Sequence, residues 1–115
     1  MAAEWERSAA EADGVREPAR MAFTLDGLAV WDVPSLCDEA ARVLTDGFAG
    51  HGHNLAAFCD LLRGGFGRHP YGRPIALTWA DFAVSRARMD PDTLLTVLEV
   101  ICDGEDHDCL LDIRP

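Results

Sequence analysis

The chain contains no lysine. Its ten basic residues are all arginine and face twenty acids, for a formal net charge of −10 and a sequence pI of about 4.6. Proteins that grip nucleic acid neutralise phosphates with clustered Lys and Arg, and this chain has no such cluster, so nucleic acid is excluded as a direct ligand. The exclusive use of arginine reads as codon usage of a GC-rich genome, not as a recognition device. No stretch approaches the ~18 apolar residues of a membrane span. Glu4, Glu6 and Glu11 break up any secretory leader near Met1, and no apolar run follows them. Cys37, Cys59, Cys102 and Cys109 include no CxxC pair. Without an export signal they read as reduced, mostly buried thiols, and the cytoplasm is the expected compartment. No internal repeat is visible.

What is present suits one folded domain. The chain has 115 residues, 49% of them hydrophobic, with three Trp and five Phe, which is too apolar for a disordered chain. Residues 1–20 stand apart: rich in Ala and Glu, with Pro18 near their end and Trp5 as the one large side chain. They read as a flexible or partly helical N-terminal extension. The remaining 95 residues hold fifteen acids and seven arginines.

Met21–Leu25 is the first expected strand, closed by the turn signal Asp26-Gly27. Val33-Pro34 opens a helix to about Thr45, with Leu36, Ala40, Val43 and Leu44 as its buried stripe. The segment Gly64–Pro74 is a long, kinked loop. Pro74–Trp79 is a strand apolar enough to be buried on both faces. A short helix over Asp81–Arg88 carries Phe82. Asp90 then caps a last helix with Pro91 at its first position. Leu94, Val97, Leu98 and Ile101 of that helix face in, while Asp92, Thr96, Glu99 and Asp103 face out. Cys109–Ile113 is the terminal strand. Strands separated by helices need crossovers, so the expected fold is α/β, with a small three-stranded, mainly parallel sheet packed with helices. Trp31, Trp79 and Phe82 are expected in its core.

The most informative segment is Gly50-His51-Gly52-His53-Asn54-Leu55-Ala56-Ala57-Phe58-Cys59-Asp60-Leu61-Leu62-Arg63-Gly64. Asn54 suits an N-cap and Gly64 the left-handed residue that closes a helix. At about 100° per residue, Leu55, Phe58, Leu61 and Leu62 share one apolar arc. Ala56, Asp60 and Arg63 fall opposite, so Asp60 points outward on a rigid helix. Such a carboxylate suits a positively charged partner.

Other clusters weigh less. Glu99, Asp103, Glu105, Asp106 and Asp108 form an acidic run, read as a solvated face apart from Asp103, which opposes its helix dipole. His51-x-His53 with Cys59, and Cys102 with His107 and Cys109, invite a zinc reading. Structural zinc sites show two close ligand pairs, and no second pair follows, so neither metal nor cofactor is expected. Cys59 and Cys102 lack an orienting group or an oxyanion-type loop, so no catalytic residue is assigned. Gly64-Gly65-Phe66-Gly67 follows a helix and lacks the Lys-Ser/Thr of a phosphate loop, which makes it a connector.

Three of these stretches together resemble the barstar family of intracellular ribonuclease inhibitors. Gly52–Leu62 looks like that family's G-x-N-L-x-A-x-x-D helix. Pro74–Phe82 looks like its strand followed by a W-x-x-F helix start, and Val97–Ile101, running on to Cys109, like its last helix and strand. The likeness covers about residues 22–114, with an insertion near Gly65–Tyr71, and makes 21–115 a barstar-like domain. It implies a non-enzymatic protein with a three-stranded parallel sheet, one helix of which plugs the active site of a basic extracellular-type ribonuclease. It also implies a contact surface of Gly50, His51, Gly52, His53, Asn54, Ala56, Cys59, Asp60, Arg63, Gly64 and Asp103, with Asp60 as the acidic anchor. Ala56 stands where the family has a second carboxylate. Gly50, His51 and Cys59 replace its aromatic contacts, with His51 and Phe66 as candidate substitutes. The alternative is a barstar-fold interaction module whose partner is not a nuclease.

Overall fold

Ile75, Leu77 and Trp79 alternate along one strand with Ala76, Thr78 and Ala80, and their burial alternates with them. In the computed structural model, which describes residues 19–47 and 50–115, this strand (β2, Ile75–Ala80) is the centre of a three-stranded sheet. It is flanked by β1 (Met21–Asp26) and β3 (Cys109–Ile113), in the order β1-β2-β3, with both pairings parallel. The register aligns Met21, Ile75 and Cys109 in one row and Phe23, Leu77 and Leu111 in the next. This is the small parallel α/β arrangement expected.

Parallel neighbours require crossover connections. The first contains α1 (Val33–Leu44) and α2 (Leu55–Arg63), and the second α3 (Phe82–Arg88) and α4 (Pro91–Asp103). Leu36, Ala40, Val43 and Leu44 of α1 meet Phe58, Leu61 and Leu62 of α2 and Leu94, Val97 and Ile101 of α4. Together they bury the Ile75/Leu77/Trp79 face of the sheet. The opposite row, Ala76, Thr78 and Ala80, is only half-buried, so β2 is not covered on both faces as its composition suggested. Its neighbours on that side, Ala22, Thr24, Leu110 and Asp112, are exposed. Apart from Leu110, which is 60% exposed, the residues of that face are small or polar and ask for no covering layer.

Local chemistry sets the helix starts. Asp32 accepts from the Ser35 amide at 2.9 Å, and Ser35 Oγ accepts from the Asp32 amide at 3.0 Å, a reciprocal capping box ahead of Pro34. Asp90 accepts from the Thr93 amide at 3.0 Å, with Pro91 opening α4 as expected. Trp79 Nε1 donates to Ser85 Oγ at 3.0 Å, and that hydroxyl donates to Gly27 O at 2.7 Å. The relay joins β2, α3 and the short 3₁₀ turn Gly27–Ala29.

Two expectations about the core are corrected. Trp31 is 50% exposed, because its backbone amide is tied to the α1 cap through Ser35 Oγ at 2.9 Å and its ring is left outside. Only Cys37 of the four free thiols is buried; Cys59 and Cys109 are half-buried and Cys102 is exposed. Trp79 is buried as expected, with Phe82 set edge-on to it at 5.1 Å.

One buried charge was not legible. Glu39 in α1 accepts from the Asp26 amide at 2.7 Å and from Arg42 Nε and Nη2 at 2.8 and 2.7 Å. Its carboxylate fastens α1 to the end of β1 and is satisfied on both oxygens. Of the expected N-terminal extension, residues 1–18 lie outside the described residues. Arg20 Nη1 donates to Ile75 O at 3.2 Å and to Asp108 Oδ1 at 2.7 Å, which anchors the entry to β1.

Candidate functional site: the outer face of α2

α2 is held at both ends by short-range chemistry. Asn54 Oδ1 accepts from the Ala57 amide at 2.8 Å, the N-cap expected. The Cys37 thiol donates to Asn54 O at 3.4 Å, tying the cap to α1. At the other end Gly64 has φ 93°, open to glycine and costly for other residues. A Cβ there would lie 2.6 Å from the His69 ring. That ring is buried against Phe23, with centroids 5.6 Å apart, and its Nε2 donates to Leu62 O at 3.1 Å. The Gly72 amide donates to Arg63 O at 2.7 Å. The loop after α2 therefore folds back and satisfies carbonyls that a helix end leaves open.

Of the projected outward arc, Ala56 and Asp60 are exposed, the Asp60 side chain to 51%, and Arg63 is half-buried. The Asp60 carboxylate is nevertheless not alone. Arg63 Nη2 donates to Asp60 Oδ1, and Arg63 Nη1 donates to Asp106 Oδ2 at 3.0 Å. One arginine thus sits between two acids and leaves the trio with a net negative charge. Among the described residues no hydrogen bond reaches Asp60 Oδ2, which leaves its lone pairs available.

Two hollows flank this carboxylate. One, of about 200 Å³, is lined by Gly50, His51, Gly52, Ala57, Asp60, Leu61 and Phe66. The other, of about 340 Å³, is lined by Asp60, Arg63, Gly64, Gly65, Phe66 and Tyr71. Asp60 and Phe66 border both. The structure therefore gathers Gly50, His51, Gly52, Asp60, Arg63 and Gly64 onto one surface. It adds Phe66 and Tyr71, the latter 73% exposed, from the loop after the helix. Tyr71 was missed because nothing in its local sequence says which way that loop folds.

The remaining candidates fall around this surface. His53 turns toward Asp38 of α1, with Nε2 2.9 Å from Asp38 Oδ1. Cys59 is half-buried; burial, stronger than the opposing pull of Arg63, pushes its thiol pKa up. Asp103 is exposed at the end of α4 and lines neither hollow. The acid beyond α4 that reaches α2 is Asp106, in the connection to β3. A half-exposed carboxylate between two shallow hollows with aromatic walls suits a guanidinium or ammonium group, which gains both a charge-assisted bond and a ring contact.

No protein-family model matches this chain, and no curated protein matches it. Among the described residues no helix is long and apolar enough to cross a membrane.

Proposed function

We propose that this chain is a barstar-like, non-enzymatic inhibitor that blocks the active site of a basic secreted ribonuclease with the outer face of α2. It would act in the cytoplasm as the immunity protein of the cell that makes the enzyme. The observation that carries this reading is Asp60, half-exposed between two hollows on a helix capped at both ends. An enzyme that cleaves phosphodiesters keeps cations around the scissile phosphate to stabilise developing negative charge. Asp60 takes the place of that phosphate, with Oδ2 offered to the enzyme while Arg63 holds Oδ1. The chain's net charge of −10 draws a basic enzyme inward and speeds encounter. Phe66 and Tyr71 supply ring contacts that the α2 sequence itself lacks, and aromatic anchors often dominate interface energy.

Cys37, Cys59 and Cys109 do not suit the role of a cysteine nucleophile. Burial pushes Cys37 up to about 11 and Cys109 up to about 12, and raises Cys59 as well. An activated nucleophile needs the opposite shift.

Titrating guanyl-specific ribonucleases with the purified chain tests the reading. One-to-one inhibition is expected. No inhibition at micromolar protein and low salt, across several such enzymes, would overturn it.

A second reading has its own observation. The rings at this surface lie after α2, on half-buried Phe66 and exposed Tyr71, and Ala56 leaves the preceding helical turn without a carboxylate. Such a surface also suits an interaction module for a different protein. Recovery of a neutral or acidic non-nuclease partner from the native cell would favour it.

A further inference from the structure

We propose that Asp38, His51 and His53 form a binding site for a divalent transition-metal ion, with Zn²⁺ the best match and a fourth coordination position left open. Asp38 projects from α1, and the two histidines come from the loop that leads into α2. One ligand atom from each of the three lies within 4.8 Å of the others. Asp38 Oδ1 is 3.6 Å from His51 Nε2 and 2.9 Å from His53 Nε2, and the two rings are 4.9 Å apart between centroids. Tetrahedral zinc with bonds of about 2.0–2.1 Å holds its ligand atoms roughly 3.4 Å from one another. Small side-chain rotations bring the three atoms to that spacing.

Two features suit ligation rather than a chance meeting of polar groups. His51 Nδ1 lies 2.9 Å from Gly52 O, so it carries the proton and leaves the Nε2 lone pair directed at the cluster. The His51 side chain is only 10% exposed, which fixes the ring before any metal arrives. Asp38 is also left to the histidines. The arginine one turn further along α1, Arg42, is already engaged by both oxygens of Glu39.

Two imidazoles and a carboxylate select zinc, copper(II) or nickel over calcium and magnesium, which prefer all-oxygen shells. Three protein ligands leave zinc one position for water or for an incoming group. His51 is shared with the hollow beside Asp60, so an ion here would stiffen the Gly50–His53 wall of that hollow.

The site needs no ribonuclease to be tested. The untagged full chain, stripped with chelator, is titrated with Zn²⁺ alone by calorimetry, and with Co²⁺ while the visible spectrum is followed. One ion per chain with micromolar affinity is expected, together with a Co²⁺ band of low-symmetry, four- or five-coordinate type. His51→Ala, His53→Ala and Asp38→Asn should each weaken Zn²⁺ binding by about tenfold or more, on the scale by which even second-shell changes act. Cys102→Ala should leave binding unchanged, and far-UV circular dichroism checks that every variant is folded. Absence of saturable binding up to sub-millimolar Zn²⁺ would overturn the proposal. So would one-to-one binding that survives the His51→Ala/His53→Ala double substitution.

Discussion

Arg63 sits three residues after Asp60 and donates to it, while its other terminal nitrogen reaches Asp106 at 3.0 Å. The proposed anchor is therefore directed outward and partly neutralised at once. If α2 docks into a cationic cleft, Asp60→Ala should weaken inhibition by at least about tenfold, or ~1.4 kcal/mol. Glu99→Ala, on the exposed side of α4, should change it little. Equal effects in a ribonuclease inhibition titration would remove Asp60 from the centre of the surface.

Arg63→Ala is expected to act in the other direction on binding. Without the guanidinium, Asp60 and Asp106 present unbalanced charge, and association with a basic enzyme should quicken several-fold at low salt, with the gain fading as salt is added. The fold should lose only about 0.3–1 kcal/mol, from a cation missing at a helix C-terminus and an exposed ion pair. Stopped-flow association at two ionic strengths and urea unfolding separate the two effects.

Gly64→Ala tests how the hollows are built. The residue has φ 93° and no room for a Cβ against the His69 ring. Backbone strain of this kind costs about 1–3 kcal/mol, and the collision displaces His69, which holds the following loop under Leu62. A lower urea midpoint is expected, along with weaker partner binding as Phe66 and Tyr71 lose their places.

Glu39→Ala should destabilise the chain by roughly 1–3 kcal/mol, because the Asp26 amide and Arg42 lose their acceptor while α1 and β1 remain packed. Binding at the α2 surface should persist in the fraction that stays folded. A shift in thermal midpoint without a change in inhibition stoichiometry is the expected outcome.

The thiols give the protein an alkaline limit. Cys37 and Cys109 ionise near pH 9 when free of the fold and only at about 11 and about 12 within it, chiefly because burial disfavours the thiolate. Above pH 9 the unfolded chain therefore holds fewer protons than the folded one, and stability falls as pH rises. The contribution is complete below pH 9 and is lost on approach to pH 11–12. Urea midpoints measured between pH 8 and 10.5 should decline, and Cys37→Ala should flatten the decline.

How much of this was legible depended on range along the chain. The bounds of α2 and α4 follow from contacts within four residues: Asn54 to Ala57, Asp90 to Thr93, Gly64 after Arg63. The outward direction of Asp60 follows from helical geometry alone. Its link through Arg63 to Asp106 does not, because it joins segments that only the folded sheet and α4 bring together. The same holds for Asp38 beside His51 and His53, where the third group comes from a different helix. Trp31 looked like core because of its size, yet its neighbours were recruited for a cap and its ring was left half in water.

Nearly every group that forms the α2 surface belongs to the first crossover, the stretch between β1 and β2. The same crossover turns Leu36, Ala40, Phe58, Leu61 and Leu62 inward, onto the core that covers Ile75, Leu77 and Trp79. The outward surface and the inward core are thus interleaved within one passage of the chain. A lineage built on this plan can alter its outer face only by exchanging the outward positions of that connection, such as Ala56 and Asp60, while the inward ones stay apolar.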